Sequence, residues 1–106
     1  MSHTVKAFVY VEAQVSVPFD EYDWNHDNEG IKKQSGFISK TWLSGADNNS
    51  IGGFYAFDSI ENAKKYATGF MAEKAKTLNI GITTRVFAAD RVVEASGQMK
   101  SPFFTK

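Results

Sequence analysis

From Val5 to Val15 the chain alternates, with Val5, Ala7, Val9, Val11 and Ala13 on one side and Lys6, Phe8, Tyr10, Glu12 and Gln14 on the other. Period two with β-branched residues predicts a strand. Its second face is only half polar, because Phe8 and Tyr10 lie there, so both faces are expected to meet something. Pro18 ends the alternation. The next segment, Phe19 to Lys33, reads as a helix with Phe19, Tyr22 and His26 on one face and Trp24 off that line. Asp20, Glu21 and Asp23 suit a helix N-terminus and Lys32 with Lys33 its C-terminal end. Asn25, Asp27, Asn28 and Gly30 are poor helix formers, which predicts fraying or a kink in the second half.

Period two returns at Gly36: Phe37, Ser39, Thr41 and Leu43 oppose Ile38, Lys40, Trp42 and Ser44. The turn residues Gly45 to Ser50 separate this strand from another at Ile51 to Phe57, which predicts a hairpin. Asp58 or Ser59 then caps a second helix, with Asp58 and Glu61 forming an N-cap/N3 pair. Its apolar stripe is Ile60, Ala63, Ala67, Phe70, Met71 and Leu78, and Asn79 with Gly81 marks its stop. Ile82 to Val93 reads as the last strand. The polar tail from Glu94 to Lys106 ends in Pro102-Phe103-Phe104, whose adjacent rings are expected to pack on a partner subunit.

The order strand, helix, strand, strand, helix, strand predicts a ferredoxin-like α+β fold: a four-stranded antiparallel sheet with two helices on one face. The other face would be bare yet partly apolar, which a symmetric homodimer would resolve. A chain of 106 residues suits one domain with a core of its own. Twelve basic residues balance twelve acidic ones, which argues against phosphate-rich or membrane-surface partners. Cysteine is absent, excluding disulfides, thiolate metal sites and a thiol nucleophile. No leader or membrane-spanning pattern is visible, so a cytoplasmic location is expected.

The stretch Gly36-Phe37-Ile38-Ser39-Lys40-Thr41-Trp42, followed by Asn49, Gly52-Gly53-Phe54-Tyr55-Ala56-Phe57, Ala63 and Tyr66, resembles the YdhR-like family. The later Lys76-Thr77-Leu78-Asn79-Ile80-Gly81 and Val86-Phe87 continue the match, which spans about Pro18 to Ser96. The resemblance implies a dimeric α/β barrel with a pocket in each subunit and a monooxygenase assignment that needs no cofactor. In cofactor-free oxygenases of that superfamily, Trp, Asn, Tyr and Arg side chains orient an enol-bearing aromatic substrate. Trp42, Asn49, Tyr55 and Arg85 are the matching residue types. The segment from Pro18 to Ser35 departs most from the family pattern. Its Trp24 and His26 would then contact a substrate different from that of other members.

Each candidate also has a structural reading. Trp42 is either a core or interface residue for which a facing glycine makes room, or a pocket wall. Tyr55 shares a face with Phe57 and is either a structural hydrogen bonder or a donor to substrate. Tyr66 lies near the stripe of the second helix, facing the cavity or simply packing. Arg85, if buried, requires either an ion pair across the dimer interface or an enolate or carboxylate ligand. Lys40, the other mid-strand cation, carries the same ambiguity. His26 is a possible base, but its polar neighbours favour exposure. Asp20, Glu21, Asp23, Asp27 and Glu29 read as a solvated helix face, so no metal site is expected. The reaction class that the resemblance implies is a monooxygenase acting on a small aromatic or hydrophobic compound; the alternative is a non-catalytic small-molecule-binding dimer.

Overall fold

A computed structural model describes residues 4–15 and 17–104; His3 and the last two residues of the tail lie outside them. Four strands form one antiparallel sheet in the order β2-β3-β1-β4: β1 (Ala7–Gln14), β2 (Phe37–Ser44), β3 (Ser50–Phe57) and β4 (Ile82–Ala88). β1 is central, pairing with β3 on one side and β4 on the other. Helix α1 (Trp24–Lys32) and a longer helical rod cover one face. The rod comprises α2 (Ile60–Lys65), a π-turn (Tyr66–Phe70) and α3 (Met71–Leu78). This is the ferredoxin-like arrangement, and its physical basis is the clean alternation of β1. Ala7, Val9 and Val11 bury against Tyr55 and Phe57 of β3, Ile31 of α1, and Ala63, Tyr66 and Met71 of the rod.

Local departures from simple periodicity decide what faces the helices. Helix α1 begins at Trp24 rather than Phe19, because Asp23 is its N-cap, accepting from the His26 backbone N–H at 3.3 Å. Phe19–Glu21 forms a separate 3-10 turn, so Phe19, Tyr22 and His26 do not share a helix face. In β2 a bulge falls between Phe37 and Ser39. Strict alternation would oppose Phe37 to Lys40 and Trp42. The extra residue instead puts all three on the helix face, with Phe37 packed against Phe57.

The π-turn resets the phase of the rod. Tyr66 is turned into the core beside Ala63 and Met71, whereas Ile60 and Leu78 of the expected stripe are exposed. Ser59 is the N-cap, its Oγ accepting from the Asn62 N–H at 3.0 Å, while Asp58 accepts from the Asn62 side chain at 2.8 Å. Glu61 therefore plays no part in the cap that its spacing suggested.

β4 ends at Ala88 rather than Val93: a 3-10 turn (Asp90–Val92) takes the place of the end of the expected strand and leads into α4 (Val93–Gln98) at the start of the polar tail. Beyond α4, Phe103 and Phe104 cross the face opposite the main helices. Their ring centroids lie 5.2 and 6.0 Å from that of Phe8, and Phe103 also meets Phe54. These rings thus pack on their own chain, forming a second cluster with Phe8, Ala56 and Ala89. Among the described residues no helix is long and apolar enough to cross a membrane.

Candidate active site

The sheet's helix-covered face is tightly filled at the Phe57 end and opens toward the other end into a cavity between β2, β3, α1 and the rod. The enclosed space is small, about 40 Å³ for the centres of water-sized molecules, and it is continuous with open solvent at its mouth, about 450 Å³ in all. Trp42, Tyr55, Tyr66 and Phe70 supply aromatic walls, and Val11, Ile51 and Met71 supply aliphatic ones. A narrow cleft with aromatic and aliphatic walls suits a flat, slender ligand.

The register of the hairpin builds the site. Trp42 stands opposite Gly53, and Lys40 stands opposite Tyr55. The space a β-carbon would take at Gly53 is filled by the Lys40 side chain, whose Cε would lie 2.4 Å from it. The glycine therefore makes room for a lysine stem rather than for the indole. Lys40 Nζ lies 3.2 Å from the Trp42 ring centroid and 4.7 Å from that of Tyr55, a cation held over two π faces. Trp42 is itself fixed: its Nε1–H donates to Asn28 Oδ1 at 3.0 Å, and Phe19 and Tyr22 meet its ring edge-on.

Two polar groupings line the walls. The Tyr66 hydroxyl donates to the Tyr55 oxygen at 2.9 Å, which leaves the Tyr55 proton free to be given to a ligand. Burial drives both phenols well above the ordinary tyrosine range, so they act as neutral donors. Across the cavity the Asp27 carboxylate, 7% exposed, accepts from the Tyr22 hydroxyl and the Lys74 ammonium, tying α1 to α3. Asp27 is thus not part of a solvated acidic face. The poor helix formers around it are tolerated because they place Asp27 inward and Asn28 under the indole.

Burial pushes the Lys40 ammonium down to about 7; the charge of Asp27 opposes the shift and that of Lys74 adds to it. Among the described residues Lys40 has no carboxylate within ion-pair distance. Its partners are aromatic faces, which stabilise the cation far less than water does.

Of the residues singled out in the sequence, Trp42, Tyr55 and Tyr66 converge on the cavity. Phe57 shares their face but is fully buried below them as core. Arg85 is exposed on the other face of the sheet, opposite Tyr10, and does not meet the cavity. Asn49 is exposed in the hairpin turn, where its backbone carbonyl accepts from the Val15 N–H at 2.9 Å. Trp24 is 40% exposed at the start of α1 and lies away from the cavity. His26 is exposed beside an open groove between α1 and α3. Sequence reasoning missed Tyr22, Asp27 and Lys74. The only available signal was the poor helix quality around Asp27, which marks a residue retained for contact rather than propensity. Among the described residues no three His, Asp or Glu side chains gather as metal ligands.

A family model described as "Putative mono-oxygenase ydhR" matches residues 19–100. The chain belongs to the YdhR family. The matched region contains every wall of the cavity contributed by α1, β2, β3 and the rod. No curated protein matches the chain.

Proposed function

We propose that this YdhR-family member is a monooxygenase for a small aromatic compound, bound between Trp42 and Tyr55 and oxidised without a cofactor of the protein. The observation that carries this reading is the aromatic cleft itself, with the Lys40 cation beside the rings, the Tyr55 hydroxyl, and Lys74 already paired to Asp27. Trp42 and Phe70 offer ring faces against which a flat molecule stacks, while Tyr55 offers a hydrogen bond to its oxygen. Exclusion of bulk water keeps an electron-rich anion from being quenched by solvent.

In this reading the substrate supplies the electrons. An anthrone-type methylene loses a proton, and the resulting carbanion reduces dioxygen and combines with it as a peroxide. Loss of water then leaves a carbonyl. The methylene gives up two hydrogens; one oxygen atom becomes the carbonyl oxygen and the other departs as water. We further propose that the working unit is a homodimer paired through the sheet face bearing Tyr10, Arg85 and Phe87, because Phe87 is 50% exposed there.

The test is dioxygen uptake with anthrones and dihydroxynaphthalenes in the absence of added metal or flavin. One dioxygen per anthrone is expected, with Trp42→Ala slower by at least about tenfold. A second reading is favoured by the side-chain pairing at the site: Tyr22 and Lys74 already satisfy Asp27, and Tyr66 already donates to Tyr55. That reading is a non-catalytic binding protein, supported if ligands of this class bind tightly and no uptake occurs.

A further inference from the structure

We propose that Lys40 makes the cavity selective for ionisable aromatic hydroxyl compounds, namely phenols, naphthols and the enol forms of aromatic ketones, held as the aryloxide against its ammonium group. The proposal rests on the reading of the cavity as an aromatic-substrate site and names the chemistry that such a substrate must carry.

Three observations converge on it. Lys40 is brought to the helix-covered face by the β2 bulge, and Gly53 opposite gives its stem a bed that a β-carbon would fill. Lys40 is half-buried, and among the described residues its ammonium has the faces of Trp42 and Tyr55 beside it and no carboxylate within ion-pair distance. Lys74, by contrast, is matched to Asp27. An arriving anion therefore gains at Lys40 what the protein itself does not supply there.

The kind of anion follows from the walls. Trp42, Tyr55, Tyr66 and Phe70 are ring surfaces, which a planar aromatic body covers. The Tyr55 hydroxyl proton and the Lys40 N–H groups are two donors on neighbouring strands, enough for a single oxygen. A carboxylate has two oxygens and about four acceptor sites to satisfy, more than this apolar cleft offers.

Proton affinity also matches. An amine brought near neutrality by burial exchanges its proton readily with a weakly acidic hydroxyl. The other titratable or charged groups facing the cavity are Asp27, Lys74, Tyr22, Tyr55 and Tyr66. Asp27 and Lys74 neutralise each other, and the three phenols remain protonated near neutral pH, so Lys40 is the group whose charge responds to the ligand. In the oxidation above, the proton that leaves the substrate goes to Lys40 Nζ when the amine is neutral. When Lys40 is already charged, it holds the anion formed in solution.

The test uses 4-nitrophenol, whose anion has a visible absorption band, and its methyl ether 4-nitroanisole, which cannot ionise. One pH unit below the solution pKa of the phenol, saturating wild-type protein should raise the anion band roughly fivefold, corresponding to a downward shift of about one unit. Lys40→Met keeps the length and apolar stem without the charge. It should bind 4-nitroanisole within about threefold of wild type while leaving bound 4-nitrophenol neutral. Lys40→Arg, which retains a charge, should restore part of the anion band.

Binding of 4-nitrophenol without ionisation, an anion band that persists in Lys40→Met, or failure of 4-nitrophenol to bind would each overturn the proposal. Its failure is separable from that of the oxygenase reading. Nitrophenolate formation without dioxygen uptake supports Lys40 selectivity and removes catalysis. Uptake that is unchanged in Lys40→Met removes Lys40 and keeps catalysis.

Discussion

Two adjacent glycines show how much rests on single positions. A β-carbon at Gly52 would fall 1.9 Å from the Val11 carbonyl oxygen, which is backbone and cannot move without opening the β1–β3 ladder. One at Gly53 would meet Lys40 Cε, near the free end of a flexible side chain. Gly52→Ala should therefore cost more than about 3 kcal/mol in chemical denaturation, and Gly53→Ala about 1 kcal/mol. Only the second variant should stay folded while losing the nitrophenolate signal. Lys40 also makes stability depend on pH. Its folded value of about 7 lies below the ordinary 10.5, so between those limits the unfolded chain binds more protons. Stability then rises with pH across that window, and the burial penalty is complete below it. Lys40→Met should be more stable than wild type at pH 6, with the gap closing toward pH 10. A gap that stays constant would show that Lys40 is not buried in charged form. Trp42, Tyr55 and Tyr66 were legible as candidates because aromatic residues on strands and helices declare themselves. The partners of Asp27 were not, because a carboxylate in a polar run looks the same whether it faces water or a lysine 47 residues away.

At the scale of elements, what could be read was what simple periods encode. The order of the strands followed from alternation, and a capped helix start at Asp58 or Ser59 from residue type, although the Asp58–Glu61 spacing pointed to the wrong one of the two. What could not be read were insertions of one residue. The bulge at Ile38 and the π-turn at Tyr66–Phe70 each add a residue without changing composition, and each turns a side chain toward the cavity. The π-turn has local support, since Thr68 Oγ1 donates to the Lys64 carbonyl at 2.8 Å. Deleting Thr68 should convert the π-turn to regular α-helix, in which Met71 follows Tyr66 by four residues instead of five and both stay on the core face. Stability in urea should then stay within about 1 kcal/mol of wild type. A loss of about 3 kcal/mol or more would show that Thr68 itself, and not the phase alone, holds the rod in place.

For the whole molecule, the sheet separates two tasks. The helix-covered face holds the core and the cavity. The opposite face is half covered by Phe103 and Phe104, and Phe87, Leu43 and Arg85 remain exposed beyond them. The surplus of aromatic residues, fifteen in 106, divides between these faces. If that face pairs two subunits, light scattering at micromolar concentration gives a dimer, and Phe87→Glu dissociates it by placing a charge in an apolar contact. A wild-type monomer would contradict the pairing. Arg85 belongs to this outer face, which suits the ion pair across a dimer interface rather than the substrate contact that its residue type also allowed. Sequence alternation told which residues share a side of β4, but not which side the helices would cover.

The most direct measurement is a crystal structure of the protein with a bound naphthol. The expected complex has the ring between Trp42 and Tyr55 and the naphthol oxygen within hydrogen-bond reach of both Lys40 Nζ and the Tyr55 hydroxyl. A naphthol bound instead in the α1–α3 groove beside His26, or on the outer sheet face, with the Trp42 cavity empty, would contradict the assignment of this cavity as the active site.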